Sequence, residues 1–303
     1  MKPIFCFTHH DLDGLVSALV VKWAHPDHEF AYKTTTPTNF REDYNKWLNH
    51  NKPEDYDTIF IMDLDIHEDC ELVDAEYITI IDHHLTHVEG GEYYNADLVI
   101  EEYSSAAKLA YRTFKERYKV NFTPHQLLLV AIADDYDSYA LNIDGSKILN
   151  AIFWQTQKRF EVFMKQFENG YHGITDQQKT MYSIYKKELE DVLSNLSYFI
   201  AKDYKYDGEK YYVIATFATK HINDVADHLI ENGSPDIAIV VNKQSNHVSW
   251  RRGNDSKVEL NKLAEKLTDG GGHAYAAGGK ITEEFLAFAK KLKPRKKIPK
   301  INA

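Results

Sequence analysis

The sequence predicts an α/β protein: a first domain built on a parallel sheet, then a smaller α/β domain, the two joined by a helical linker. Three observations carry this reading. The 303 residues give room for about two domains at ~150 residues each. In the first half, the short apolar runs "PIFCFTH", "DTIFIMDL" and "EYITIIDHH" alternate with helical patterns, as strands buried on both faces of a parallel sheet do. The second half repeats the alternation after a long, charged helical stretch. Domains are therefore expected at 1–150 and 201–303, with 151–200 as the connector.

Element by element, "GLVSALVVKWA" follows the first run with helical potential. "SSAAKLAYRTFKERY" opens on serines suited to an N-cap. "TPHQLLLVAIADDYDSY" has Thr123 as N-cap and Pro124 at the first helical position. From Asn150 to Ser197 the pattern is helical and increasingly charged. Beginning near Tyr204, "KYYVIATF", "DIAIVV" and "HVSWRR" read as strands, with "INDVADHLIENG" as a helix among them. "ELNKLAEKL" then leads into the glycine cluster of "TDGGGHAYAAGGKI".

The bulk properties exclude several classes. A net charge of −10 argues against a protein that coats nucleic acid over its whole surface. No apolar run approaches the ~20 residues of a membrane span, and no secretory signal is visible. Two cysteines, Cys6 and Cys70, make no disulfide framework, so the expected location is the cytoplasm. The basic end "KKLKPRKKIPK" reads as a solvated terminus, with a phosphate-attracting tail as the alternative. Oligomeric state is left open.

The apolar runs end in bursts of acid and histidine. A carboxylate beside a buried strand is costly unless something positive neutralises it, and a metal ion is the simplest candidate. In "HHDLDG", Asp11 and Asp13 lie two apart and share strand parity with His9, while Gly14 permits a tight turn into the helix. "DLD" places Asp63 and Asp65 at a second strand end, and "DHHLTH" places adjacent histidines at a third. Asp134, Asp135 and Asp137 end a helix, where acid opposes the macrodipole and asks for a cation. Carboxylates and imidazoles without thiolate suit Mn2+, Fe2+, Co2+ or Zn2+ over Ca2+. So many donors fit two ions about 3.5–4 Å apart sharing a carboxylate.

"HHDLDG", "MDLD", "IDHH" and "AIADDYD", in that order, resemble the four motifs of the DHH phosphoesterase superfamily. The second half resembles the C-terminal domain associated with that family. Its "GGGH" stands here as Gly270, Gly271, Gly272 and His273, after the arginine-bearing "VSWRR". The resemblance covers nearly the whole chain, and its relatives include RecJ-type exonucleases, nanoRNases, phosphoadenosine-phosphate phosphatases and cyclic-dinucleotide phosphodiesterases.

The resemblance implies an active site in the cleft between the domains, holding two divalent ions, most simply Mn2+. Asp11 would bind one ion and Asp13 the other. Asp63 would bridge them, and His83 would ligate the second. His84 would contact the phosphate, and Asp82 would support the histidines from behind. Asp135 fits the spacing of the fourth motif best, with Asp134 and Asp137 crowding it. Many relatives place a histidine four residues before the first Asp, where this chain has Phe7. His9 is the better substitute by strand parity, with His10 left open.

In the second domain, Gly270, Gly271 and Gly272 would present N–H groups to a phosphate or nucleotide, with His273 beside them. Arg251 would pair with phosphate bidentately. The implied enzyme is a metal-dependent phosphodiesterase in which a metal-activated hydroxide attacks phosphorus. The length of the chain favours short oligonucleotides or small nucleotides. The alternatives are RecJ-like exonuclease action on single-stranded nucleic acid, hydrolysis of cyclic dinucleotides or phosphoadenosine phosphate, and non-catalytic nucleotide binding.

Overall fold

The computed structural model describes residues 1–272 and 274–298. The chain divides into two units, one from Met1 to Tyr182 and one from Ser183 onward.

The first unit contains β1 (Ile4–His9), α1 (Leu12–Ala24), β2 (Phe30–Thr35), α2 (Phe40–Leu48), β3 (Thr58–Met62), α3 (Cys70–Val73), β4 (Ile78–Asp82), α4 (Leu85–Glu89) and β5 (Asp97–Ile100). The helices α5 (Ala106–Arg117), α6 (Pro124–Asp137), α7 (Asp144–Gln155) and α8 (Arg159–Gln166) follow, and α9 (Asp176–Ser194) begins in this unit. The five strands are all parallel, in the order β2-β1-β3-β4-β5.

The central strands β1, β3 and β4 are the three apolar runs, and alternation divides their side chains between two layers. Cys6, Phe60, Met62 and Ile81 share a core with α1, α5, α6, α7 and α8. Phe5, Phe7, Ile59, Ile61 and Ile80 pack with Phe40, Tyr44 and Trp47 of α2. Helix α1 is buried from Leu12 through Val21, which accounts for its lack of a polar face.

The helix starts follow the expected chemistry. Ser105 accepts from the Lys108 N–H. Thr123 and Gln126 form a capping box, each side chain bonding the other's backbone, with Pro124 behind the cap. The expected domain limit at 150 falls inside α7, whose Leu149, Ile152 and Phe153 belong to the first unit's core, as do Phe160 and Phe163 of α8.

The second unit contains β6 (Tyr198–Tyr206), β7 (Glu209–Phe217), α10 (Ile222–Gly233), β8 (Ile237–Asn242), β9 (His247–Arg252), α11 (Leu260–Thr268), β10 (Gly271–Gly272), β11 (Ala276–Lys280), α12 (Glu283–Ala289) and β12 (Lys293–Arg295). Its mixed sheet runs β10-β11-β9-β8-β7-β6-β12. Within this sheet, only the β7–β8 pair is parallel among the described strands. Trp250 and Val248 of β9 pack with α11 and α12 on one face. Ile214, Ala238 and Val240 pack with α10 on the other. The first strand of this unit starts at Tyr198, earlier than the apolar pattern after Tyr204 suggested.

Candidate metal centre

Parallel strands end on one edge of their sheet, and in open α/β sheets that edge takes ligands. Here the C-terminal ends of β1, β3 and β4 bring together His9, Asp63 and His83. Seven side chains supply three overlapping groups of donors, each with its donor atoms within 4.8 Å of one another: His9, Asp11 and Asp63; Asp63, His83 and His84; Asp13, His83 and Asp137.

The first motif forms this geometry differently from its expected strand parity. Asp11 is the N-cap of α1 and accepts from the Gly14 N–H at 2.9 Å. Asp13 lies in the first helical turn and accepts from the Ala106 and Ala107 N–H groups at the start of α5, at 2.7 and 3.1 Å. Helix-start chemistry, rather than an extended strand, aims both carboxylates. Gly14 serves close approach: a Cβ there would sit 2.3 Å from the His9 carbonyl oxygen. Its own carbonyl accepts from Thr8 Oγ1 at 2.7 Å.

His9 Nδ1 stands 2.9 Å from Asp11 Oδ2 and 3.8 Å from Asp63 Oδ2. His10 turns away and meets the Trp154 ring edge-on, so the structure places His9, not His10, among the donors. Asp63 follows β3 with φ +57°, a left-handed conformation that Asp tolerates better than most residues. Such backbone persists where the surroundings enforce it, often at functional sites. Its Oδ1 lies 3.5 Å from His83 Nε2. Its Oδ2 is buried without a hydrogen-bond partner among the described residues.

His83 Nδ1 lies 3.2 Å from the Tyr103 carbonyl. That contact assigns a proton to Nδ1 and leaves Nε2, which lies beside Asp63 and Asp137, as the ring atom that could ligate a metal. Asp82 is fully buried. Its two oxygens accept from His84 Nδ1 and His87 Nδ1, each at 2.8 Å. His87 Nε2 in turn meets the Tyr93 hydroxyl at 2.8 Å.

The three carboxylates that end α6 have three fates. Asp134 pairs with Lys108 Nζ at 2.7 Å. Asp135, expected as the ligand, instead accepts from the Asn142 and Ile143 N–H groups at 2.7 and 3.0 Å, tying down the entry to α7. Asp137 is the one in the donor cluster, with Oδ2 at 3.6 Å from His83 Nε2. The structure thus brings Asp137, and not Asp135, into the donor cluster.

Protonation energetics reflect the crowding. Burial, reinforced by the charges of Asp11, Asp13 and Asp137, holds the Asp63 carboxyl well above the usual range. Burial and the Asp13 charge do the same to Asp137. Burial pushes Asp13 up to about 6. Burial would also raise Asp82, but the charges and hydrogen bonds of His84 and His87 outweigh it and hold Asp82 well below the usual range. His84 responds in the opposite sense: burial disfavours its cation, yet Asp82 raises its pKa.

The residues fit divalent metal on three counts. A buried carboxylate oxygen has no partner, like charges are buried together, and the donors are carboxylate and imidazole only. Cys6 is buried in the core.

The second unit's candidates are held by partners within their own unit. Arg251 of β9 donates from one terminal nitrogen to the Trp250 carbonyl at 2.9 Å and from the other to Asn223 Oδ1 at 2.8 Å. Gly271 and Gly272 pair with Gly278 and Ala277. The Gly270 N–H, expected to face a phosphate, points to the Ala264 carbonyl at 3.4 Å. A Cβ on Gly270 would collide with the Gly278 carbonyl at 1.9 Å. His273 lies outside the described residues.

The sequence offered Asp137 only beside Asp134 and Asp135, because choosing among the three needs the orientation of the helix end, and it missed the part of His87. His87 carried a signal, its spacing of three from His84, which puts both on one side of a short helix.

None of the curated proteins compared matches the chain in sequence. Among solved structures, a pGpG-specific phosphodiesterase, PggH, from Vibrio cholerae is similar with TM-score 0.60 at 15% identity, over 96% of this chain and 97% of that one. RecJ from Thermus thermophilus in complex with Mn2+ is similar with TM-score 0.61 at 15% identity, over 95% of this chain and 51% of that one. An exopolyphosphatase-related protein from Bacteroides fragilis has TM-score 0.54 at 16% identity, over 96% and 91% of the two chains. At these identities the likeness is one of fold. Among the described residues no helix is long and apolar enough to cross a membrane. Two family models match, the DHH family N-terminal domain over residues 3–133 and the DHHA1 domain over 209–293. Together they take in most of the chain, which belongs to the DHH family of phosphoesterases.

Proposed function

We propose that the chain is a metal-dependent phosphodiesterase acting on short oligonucleotides or small nucleotides. His9, Asp11, Asp13, Asp63, His83 and Asp137 would hold two divalent ions, with Mn2+ the simplest choice for this donor set. The observation that carries the proposal is Asp63: one oxygen faces His9 and the other faces His83, so one carboxylate serves both donor groups.

When bound, the metal pair supplies positive charge for the phosphate and acidifies a water for attack on phosphorus. The chain's own residues do the rest. Asp82, fixed by His87, accepts the His84 Nδ1–H and sets the ring that is to contact the phosphate. Tyr103 fixes the His83 tautomer. Arg251, its guanidinium aimed by Asn223, is assigned to a nucleotide phosphate, and the Gly270–Gly272 segment to close backbone approach by a nucleotide.

The preference for short substrates is supported by the fold likeness to the pGpG-specific phosphodiesterase, which extends over nearly the whole of both chains. The test is hydrolysis with Mn2+ of a dinucleotide, a 5-mer, a 30-mer, a cyclic dinucleotide and phosphoadenosine phosphate. Fastest turnover of the shortest linear members upholds the proposal. Preference for the 30-mer would make the protein RecJ-like, and no turnover of any member would leave a nucleotide-binding protein.

A further inference from the structure

Beside the donor cluster, in the same unit, stands a cation without a carboxylate partner. Arg159, at the start of α8, donates Nε–H to the His10 carbonyl at 3.4 Å. Its guanidinium lies over the Trp154 ring at 4.3 Å and near Phe153 at 5.4 Å. Among the described residues nothing accepts from its terminal nitrogens, although the Asp11 charge reaches it.

Trp154 is 46% exposed, while its helix neighbours Ile152 and Phe153 are fully buried. The His10 ring meets Trp154 at 5.6 Å and 90°, and His10 also meets His9 at 4.5 Å. Ring contacts thus run unbroken from the metal donor His9 to an exposed indole with a cation stacked on it.

We propose that Trp154 and Arg159 form a nucleotide subsite beside the metal centre, the indole stacking on a base and the guanidinium meeting a phosphate that is not cleaved. This deepens the phosphodiesterase reading and rests on it.

Three physical points support the assignment. Stacking on an aromatic ring tolerates every base, because each has a π face. A guanidinium already stacked on an indole is pre-organised, and its planar fork matches phosphate oxygens. A chain of net charge −10 with a carboxylate cluster also needs a fixed cation where a polyanion must approach. Neither residue is among the metal donors, and no part of the metal chemistry calls for them. A second nucleotide beside the scissile phosphate would use both.

The experiment compares wild type with Trp154→Ala, Trp154→Phe and Arg159→Ala, after thermal melts show that each variant folds. Two substrates are used with Mn2+: a dinucleotide, and bis(p-nitrophenyl) phosphate, which has neither base nor second phosphate. The readout is the ratio of kcat/KM for the first to that for the second. Equilibrium dialysis of adenosine 5′-monophosphate in Mn2+ is the companion measurement.

The expected result is a fall in the ratio of about tenfold or more for both alanine variants, carried by KM, with Trp154→Phe recovering most of it. If wild type turns over both substrates and the alanine variants keep its ratio, the subsite is overturned and the phosphodiesterase reading stands. If wild type turns over neither, that reading fails and dialysis decides the subsite. Weaker nucleotide binding by both alanine variants then supports it, and binding equal to wild type overturns it.

Discussion

His87 and Asp82 form a fully buried pair, with His87 Nδ1 2.8 Å from Asp82 Oδ2. The other Asp82 oxygen is 2.8 Å from His84 Nδ1, so the ring next to the metal donors is oriented by a carboxylate that His87 itself orients. Because the carboxylate accepts, His87 carries a proton on Nδ1, and its Nε2 meets the Tyr93 hydroxyl. Replacing His87 by Ala leaves a buried carboxylate with half its partners, which costs about 1–3 kcal/mol. Partners behind a metal site typically also change activity or metal affinity by about 10–100-fold. We expect His87→Ala to lower the melting temperature and kcat together, with His87→Gln, which keeps an N–H, recovering part of both. Wild-type kcat in His87→Ala would show that Asp82 and His84 need no such support.

Asp63 and Asp137 strain the metal-free protein, because burial and like charge disfavour both ionised carboxylates. Asparagine keeps the shape and removes the charge. In EDTA, Asp63→Asn and Asp137→Asn should therefore melt above wild type. With Mn2+ the order reverses. A ligand at a hundredfold its Kd stabilises by about 2.7 kcal/mol, or roughly 5–10 °C for a unit of this size. Wild type should gain this shift and the two variants should lose most of it, along with turnover. Equal Mn2+ shifts in all three proteins would remove Asp63 and Asp137 from the metal site.

Asp135→Asn separates the two readings of the fourth motif. Asp135 holds the Asn142 and Ile143 N–H groups, a cap-like role whose loss costs about 0.5–2 kcal/mol. The variant should melt below wild type in EDTA and still gain the Mn2+ shift. Loss of that shift, with Asp137→Asn keeping it, would restore Asp135 as the ligand.

That ambiguity shows where the sequence stops informing. Strands β1, β3 and β4 are central, buried on both faces, and so appear as continuous apolar runs whose ends carry His9, Asp63 and His83. The edge strands β2 and β5 were not apparent. Phe30–Thr35 is mostly half-exposed and Asp97–Ile100 is four residues long, and an edge strand need not be apolar throughout. At the end of α6, successive residues turn by about 100°, so Asp134, Asp135 and Asp137 leave in different directions. Their composition announces a site, but only the packing against Lys108, the α7 entry and His83 assigns them. In "GGGH" the glycine spacing was visible, whereas the use of the Gly270 N–H by Ala264 depends on where α11 ends.

Arg251→Ala tests the second unit's part in binding. Its guanidinium is set by Asn223 and the Trp250 carbonyl, and it belongs to none of the donor groups. We expect a raised KM for oligonucleotides with the Mn2+ melting shift intact. Lysine should not restore KM, because a point charge lacks the planar fork. Loss of the Mn2+ shift in Arg251→Ala would mean that the residue acts on the metal site rather than on substrate.

Gly14→Ala probes how closely helix α1 must approach the end of β1. The added Cβ would lie 2.3 Å from the His9 carbonyl oxygen and 2.8 Å from its carbon. Both are backbone atoms, so the clash cannot be relieved by turning a side chain. The helix start has to move, and Asp11 and Asp13 move with it, because Asp11 is its cap and Asp13 lies in its first turn. Overpacking of this kind costs about 1–3 kcal/mol. Alanine otherwise favours a helix over glycine by about 1 kcal/mol, so propensity alone predicts the opposite sign. We expect Gly14→Ala to melt below wild type and to lose the Mn2+ shift in larger proportion than its stability. A variant that melts higher and keeps the shift would show that α1 can be displaced without disturbing His9, Asp11 and Asp13.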